Sequence, residues 1–385
     1  MKILFVSQFY PDDSNPQYCI FLEQQALALI QLGNEVDVLV FRPNSIDKEM
    51  IKHPYLQNGI KVYTWLYPSS TIKEKFLISP VNTELTRFLN NNEYDVTSLH
   101  LGNVGAFNAI VEACEKLKTR VIVHYHGLNV WKDHNQSVKT KIYNYYTKLV
   151  KKKMLRKADA VVGVSKLTCD IIKKEFQGKV YTVYNGVDDS IFHRDTVRTK
   201  IETDIFRIVC VANLIPIKGH RFLIEAVADC INAGYRIELT VVGNGPELEN
   251  LKEQCRNLGV EGNVVFTGTL KYSDVVNEMH RADMFIMPSY FEAFGCVYVE
   301  AMASGLVTCG CKNNGAEEVI TDRVNGFLVE PKSSKDIGEV IAFVIDNLET
   351  ARNIAIKGVD RAKEFSWEAS ALALEAIYKE LVKKK

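Results

Sequence analysis

The sequence predicts an α/β protein made of two successive, doubly wound parallel sheets. Three observations carry this. Short apolar runs alternate with amphipathic helical stretches. The alternation halts in a polar stretch from Asp188 to Ile205 and then starts again. Finally, 385 residues exceed what one ordinary core holds.

In chain order, "KILFVS" is a buried strand that runs into the loop around Pro11, Asp12 and Asp13. "CIFLEQQALALIQLG" has helical periodicity and stops at Gly33. "EVDVLVF", "YDVTSLH", "RVIVHYHG", "ADAVVGVS" and "VYTVYNGVD" follow as strands, with "AFNAIVEACEKLK" as an intervening helix. After the polar break come the strand "RIVCVAN", the helix "HRFLIEAVADCINAG", the strand "RIELTVVGNGP" and further units through "GFLVEP". "DRAKEFSWEASALALEAIYKELVKKK" closes the chain as a helical pattern with Ser366 as its candidate cap. The expected domains are 1–190, 200–365 and a terminal helix over 366–385. Open α/β sheets hold ligands beyond the carboxyl ends of their strands, so a site between two such sheets is expected.

Composition narrows the class. Lys+Arg and Asp+Glu both number 47, which gives no reason to expect nucleic acid as a partner. Nine cysteines without a CxxC pair or zinc spacing fit a reduced, cytoplasmic compartment. "MKILFVSQFYP" is too short an apolar run for a signal peptide, and no stretch approaches the ~20 apolar residues of a membrane span.

Four segments carry chemistry. In "PSYFEAFGCVYVEAMASG" a strand ends at Pro288 and Ser289, Glu292 lies in the following loop, and a helix starts across Phe294, Gly295, Cys296 and Val297. First-turn amides lack intrahelical partners and suit a diphosphate or sugar hydroxyls. Gly295 allows close approach to the backbone. Glu300, a turn further on, can accept from neighbouring hydroxyls, although a loop glutamate and a solvated helix glutamate would give the same spacing. "ANLIPIKGH" sets Asn213 at a strand end and Lys218 before a helix, where a lysine serves phosphate as a point cation or simply faces solvent. "VVGNGP" is not a GxGxxG run, and no GxxxxGK[ST] run occurs, so the dinucleotide and P-loop fingerprints are both missing. "VIVHYHG" puts His124 and His126 on one strand face, His126 at the carboxyl end, with His100 closing a neighbouring strand. No carboxylate-histidine motif supports a metal there. A fifth segment, Lys139–Lys157, has basic residues and no acidic ones, with Tyr146, Leu149 and Val150 as an apolar stripe. It suits either an anionic membrane surface or a solvated helix packed on its own sheet.

Taken in order, "ANLIPIKGH", "VVGNGP", "FTGTL", "PSYFEAFGCVYVEAMASG" and "NGFLVEP" resemble the family-four retaining glycosyltransferases of GT-B fold. Glu292 and Glu300 match that family's E-x7-E pattern with its central Phe-Gly. "AVVGVS", "YNGVDDSIF" and "FSWE" match further landmarks, so the resemblance covers most of the chain.

The resemblance implies a hexose or N-acetylhexosamine moved from a nucleotide-diphosphate sugar, UDP foremost, to a hydroxyl of a glycan or lipid-linked acceptor. It places this step in bacterial surface polysaccharide synthesis at the inner membrane face, with no cofactor and no metal. Lys218 would meet the diphosphate, with Asn213 beside it. Glu300 would meet the ribose, and Gly243, Gly268 and Leu270 would border the base. Glu292 and the Phe294–Val297 amides would meet the donor sugar and phosphates. His126 would meet the sugar opposite the leaving diphosphate, and the last helix would cross back onto the first domain. A sugar-nucleotide epimerase and a non-catalytic glycan-binding subunit are the competing readings. The chain departs from the family twice. Asn213 stands where members often carry arginine, and the first loop reads "PDDSNPQYCIF" without a glycine pair.

Overall fold

The computed structural model describes residues 1–12, 19–44, 50–68, 83–100, 104–127, 138–192 and 205–383. The chain forms two units, Met1–Asn185 with Trp367–Lys385, and Gly186–Ser366. The second unit thus starts before the polar stretch rather than after it. Val187 donates its N–H to Phe365 O at 2.8 Å and bridges Ser366, and Phe192 is fully buried with its carbonyl facing the His280 ring at 3.1 Å. Residues 193–204 of that stretch lie outside the described residues, as does most of the "PDDSNPQY" loop.

The first unit is built on an eight-stranded sheet. Its strands are β1 (Lys2–Ser7), β2 (Glu35–Asn44), β3 (Met50–Gln57), β4 (Ile60–Pro68), β5 (Val96–Leu99), β6 (Arg120–Tyr125), β7 (Ala160–Gly163) and β8 (Lys179–Thr182). They run in the order β3-β4-β2-β1-β5-β6-β7-β8. Every pair is parallel except the β3–β4 hairpin. The strand order reverses between β1 and β5, the position where doubly wound sheets open a crevice at their carboxyl ends. Ile3 through Val6 are buried on both faces, which is why β1 reads as a continuous apolar run rather than an alternating one.

The helix Trp367–Val382 belongs to this first unit and packs on the helix Ile20–Gln31. Its apolar stripe places Ala371, Leu374 and Tyr378 in the same core as Ile3, Phe5 and Leu29. Polar contacts fix the register: Gln25 Nε2 donates to Ser370 Oγ at 3.3 Å, and Asn34 Nδ2 donates to Glu375 Oε1 at 3.1 Å.

The basic helix spans Val138–Lys157. Met154 and Leu155 are buried, whereas Leu149 is 50% exposed; the side chain of Tyr146 lies outside the described residues. Lys151, Lys153 and Lys157 pair with Glu175, Glu112 and Glu115 of neighbouring elements, so part of its charge is neutralised within the unit. Among the described residues no helix is long and apolar enough to cross a membrane.

The second unit is a six-stranded parallel sheet of β9 (Phe206–Val211), β10 (Ile237–Val242), β11 (Val264–Gly268), β12 (Met284–Ile286), β13 (Val307–Cys311) and β14 (Phe327–Val329). The order β11-β10-β9-β12-β13-β14 reverses between β9 and β12. The residues singled out around Lys218 and Glu292 lie at or beyond the carboxyl ends of these strands, Asn213 and Glu292 on loops, Lys218 on a short 3₁₀ turn, and Cys296, Val297 and Glu300 on the helix that follows β12.

Leu374 is fully buried in the returning helix. Leu374→Ala should therefore destabilise the protein by about 2–5 kcal/mol, read as a lower denaturant midpoint in urea unfolding. A midpoint equal to the wild type would show that this helix does not contribute to the first unit's core.

Candidate active site

The site begins where β9 and β12 diverge. Between the carboxyl ends of β9, β10 and β12 opens a pocket of about 370 Å³, within the usual range for small-molecule sites. Asn213, Lys218, Gly243, Leu270, Glu292, Gly295, Cys296 and Val297 line it, together with Ala212, Thr269 and Met287. Eight residues singled out from the sequence thus share one cavity.

Lys218 is placed by a short 3₁₀ turn, Pro216–Lys218, that is closed by Gly219 and followed by the helix His220–Asn232. This turn is stitched to the loop after β12. Tyr290 donates its N–H to Ile217 O at 3.0 Å, and Ser289 Oγ donates to the same carbonyl at 3.2 Å. Gly315 N–H donates to Glu292 O at 2.9 Å, and Asn314 Nδ2 donates to Ser289 O at 2.8 Å. The stitching brings Lys218 Nζ to 2.5 Å from Glu292 Oε2, with both side chains largely buried. Glu292 Oε1 also accepts from Ala293 N–H at 3.2 Å. A cation and an anion so placed at a pocket wall are held rather than swinging free in solvent.

The helix that follows Glu292 starts later than its sequence pattern suggests. It spans Cys296–Ala303 with Gly295 as N-cap, so Phe294 precedes it. The Phe294 ring is buried against Phe365, with centroids 5.4 Å apart, and does not line the pocket. Gly295 has φ +82°, and a Cβ there would stand 2.6 Å from Tyr298 Cδ2 and 3.0 Å from Glu292 Cγ. No side chain caps the helix, so its N-terminal edge faces the pocket through Gly295, Cys296 and Val297. Such an edge favours negative charge.

Glu300 stands one turn deeper and does not line the pocket. Tyr272 Oη donates to its Oε1 at 3.5 Å. Burial pushes its carboxyl from the usual 4.5 up to about 7, against the opposing pull of the Tyr272 hydrogen bond. A raised carboxyl favours the folded state while protonated. That contribution is complete below about 4.5 and is lost as pH rises through about 7. His220, two residues after Lys218, is held neutral, pushed down to about 4 by burial and by the nearby lysine.

Gly243 leaves β10 with φ +137°, and a Cβ there would meet Ala212 O at 2.0 Å. Its N–H donates to Gly268 O at 2.9 Å, tying the ends of β10 and β11 together. Gly268 itself is outside the pocket lining.

His126 lies in the first unit, beyond the end of β6. Its Nε2 is hydrogen-bonded to His100 Nδ1 at 2.9 Å, and its ring packs on Phe21 at 4.7 Å. His100, His124 and His126 gather within 4.8 Å of one another by their ligand atoms. Their rings are stacked with interplanar angles of 21°, 21° and 12°.

Sequence reasoning did not reach the Asn314–Gly315 loop, which clamps Glu292, or Tyr272, which partners Glu300. The first had a visible signal, an Asn-Asn-Gly turn directly after the β13 strand. Tyr272 had none, because a helix tyrosine says nothing about its partner across the fold.

Known proteins give the site its family. Residues 193–361 match the model of Glycosyl transferases group 1, and residues 20–191 match that of Glycosyltransferase Family 4. The chain belongs to the glycosyltransferases. An uncharacterised glycosyltransferase of Methanocaldococcus jannaschii is 25% identical over 90% of this chain and 90% of its own. A GDP-mannose-dependent monoacylated alpha-(1-6)-phosphatidylinositol monomannoside mannosyltransferase of Corynebacterium glutamicum is 32% identical, over 42% of this chain and 44% of its own. The crystal structure of Anabaena HepE in complex with UDP aligns over 99% of this glycosyltransferase and 100% of its own chain, with a TM-score of 0.75 at 21% identity. The fold is therefore GT-B.

Gly295→Ala should cost roughly 1–3 kcal/mol through strain at a positive φ and displace Glu292. Differential scanning calorimetry would show a lower Tm, and an unchanged Tm would contradict the close packing at Gly295.

Proposed function

We propose that the second unit binds a nucleoside-diphosphate sugar, with uridine diphosphate as leaving group, and that the enzyme transfers its hexosyl or N-acetylhexosaminyl group with retention of anomeric configuration. The acceptor is a hydroxyl of a glycan or a lipid-linked saccharide, in bacterial surface polysaccharide synthesis at the inner membrane face. The observation that carries this reading is the meeting of Lys218 and Glu292 at one pocket wall, beneath the uncapped start of the helix Cys296–Ala303. UDP bound to the Anabaena protein of the same fold and the lipid acceptor named for the Corynebacterium relative support the donor and acceptor classes.

In this reading the bond between the anomeric carbon and the diphosphate oxygen breaks, leaving an oxocarbenium-like centre. The acceptor oxygen joins that carbon from the face the diphosphate leaves, and its proton passes to the leaving phosphate. Lys218 and the helix-start amides neutralise the charge that grows on the diphosphate, the kind of preorganised electrostatics that dominates such barriers. Glu292 holds a donor-sugar hydroxyl and faces the developing positive charge. Glu300 accepts from the ribose, and the turns at Gly243 and Leu270 border the base. Exposed Tyr145 and Leu149 on the basic helix Val138–Lys157 serve the membrane face.

Lys218→Ala should lower kcat/KM for transfer by about 10²-fold or more, measured by product formation from a panel of sugar nucleotides. Unaltered kinetics would remove the lysine from the mechanism. Incubation with donor alone should give no converted sugar nucleotide; an epimerised donor would overturn transfer as the reaction. Chelation with EDTA should leave turnover unchanged, since Lys218 and backbone amides carry the neutralisation.

The Glu300 carboxyl must be ionised to accept two hydroxyl protons. UDP affinity should therefore rise with pH through about 7. The ratio of wild-type to Glu300→Gln affinity, followed by titration calorimetry from pH 5.5 to 8.5, cancels the phosphate's own ionisation. A ratio independent of pH would contradict the ribose role.

A further inference from the structure

A second cavity lies next to the turn that carries Lys218, wholly within the second unit. It holds about 420 Å³, and its polar lining is His220, Arg221, Glu247, Tyr290 and Lys332. The Pro216–Lys218 turn borders both cavities, Pro216 lining this one and Lys218 the other, and no residue lines both. The stitching described above also meets here, since Tyr290 is the residue whose N–H donates to Ile217 O.

The lining carries two cations that the fold does not use up. Arg221 has a side chain 65% exposed and reaches Glu225 only at 3.6 Å, the kind of surface pair that contributes little. Lys332 is exposed and makes no ion pair among the described residues; its Nζ stands 4.7 Å from the Tyr290 ring centroid. Burial and then Glu247 push the Tyr290 hydroxyl up, against the opposing pull of Arg221, so that hydroxyl lies in the field of both charges. Glu247 itself accepts only a long bond from Asn250 Nδ2, at 3.4 Å. His220 is the buried part of the lining, 3% exposed, with its Nε2 unpartnered among the described residues. It is held neutral, so the positive charge belongs to the two outer side chains.

The backbone at Lys332 singles out its side chain. Lys332 has φ +64°, a left-handed conformation in which glycine is relaxed and lysine is not. The helix that follows, Ser334–Asp346, already has its cap in Ser333, whose side chain accepts from Asp336 N–H. The turn alone would thus be better served by glycine. What lysine adds is a cation delivered to the cavity, and strain kept for a side chain points to a ligand.

We propose that this cavity is a second ligand site that takes a sugar phosphate: Arg221 and Lys332 hold the phosphate, and Glu247 and the Tyr290 hydroxyl bond the sugar. A guanidinium suits phosphate oxygens as a planar fork and an ammonium as a point charge. The start of the helix His220–Asn232, which no side chain caps, adds attraction for the anion. The volume is that of a small-molecule site and exceeds what a bare oxyanion fills. Nothing in this assignment depends on what the donor pocket binds.

The test is titration calorimetry on the full chain with glucose 1-phosphate, glucose 6-phosphate, N-acetylglucosamine 1-phosphate, inorganic phosphate and glucose. At least one sugar phosphate should bind, more tightly than inorganic phosphate or glucose. Arg221→Gln and Lys332→Gly should each weaken it at least about tenfold, as expected for a lost charged hydrogen bond. Lys218→Ala should leave it in place. Lys332→Gly should also melt no lower than the wild type, since it relaxes the turn. Binding lost in Lys218→Ala but kept in the other two variants would put the phosphate in the donor pocket and overturn the proposal. So would no binding by any sugar phosphate, or inorganic phosphate binding as tightly as the best of them. A lower Tm in Lys332→Gly would show that the lysine serves the fold, and overturns its role as well.

Discussion

The ion pair between Lys218 and Glu292 is the contact on which the candidate site of the second unit depends. The two residues come from loops 74 positions apart, and neither loop is regular enough to place its side chain alone. Ile217 O, accepting from both Tyr290 N–H and Ser289 Oγ, locks one loop to the other. Gly315 and Asn314 then hold the second loop from below. A lysine that would otherwise lose much rotamer freedom on binding is already ordered at the wall of the pocket.

That order has an electrostatic meaning. The site shows three graded acidic and basic environments within one strand-end region. Glu292 is paired with Lys218, Glu300 is pushed toward neutrality by burial, and His220 is held neutral by burial and the nearby lysine. On the proposed function, an arriving diphosphate would compete with Glu292 for Lys218, while the helix start adds its own attraction for anions. On that reading Glu292 would be released toward the sugar end of the donor. Asn213 lines the pocket without charge and leaves Lys218 as the cation among the described lining residues.

Much of this was legible in the chain. The two alternating βα series appear in the sheets, and "ANLIPIKGH", "VVGNGP" and "PSYFEAFGCVYVE" all open onto the same cavity, because strand-to-helix loops of a parallel sheet must emerge at one edge. What failed had physical causes. The β3–β4 hairpin went unread although Asn58-Gly59, both with positive φ, is a turn signal, because β3 is nearly all exposed and lacks apolar alternation. Phe294 looked like part of a helix, but its ring serves the core against Phe365, and the glycine after it caps the helix. The stripe on the basic helix left two readings open; Leu149 is exposed, whereas Met154 and Leu155 take the buried face. The histidine cluster was invisible beyond strand alternation, as its bonds link β5, β6 and the returning helix.

The most direct measurement is a double-mutant cycle on UDP affinity with Lys218→Ala, Glu292→Ala and both together. The account predicts that Lys218→Ala weakens UDP at least about tenfold in either background, as expected for a lost charged hydrogen bond. It also predicts that Glu292→Ala alone tightens UDP, since the lysine no longer has to be taken from a carboxylate. Equal affinity in all four proteins would contradict a diphosphate held at this pair.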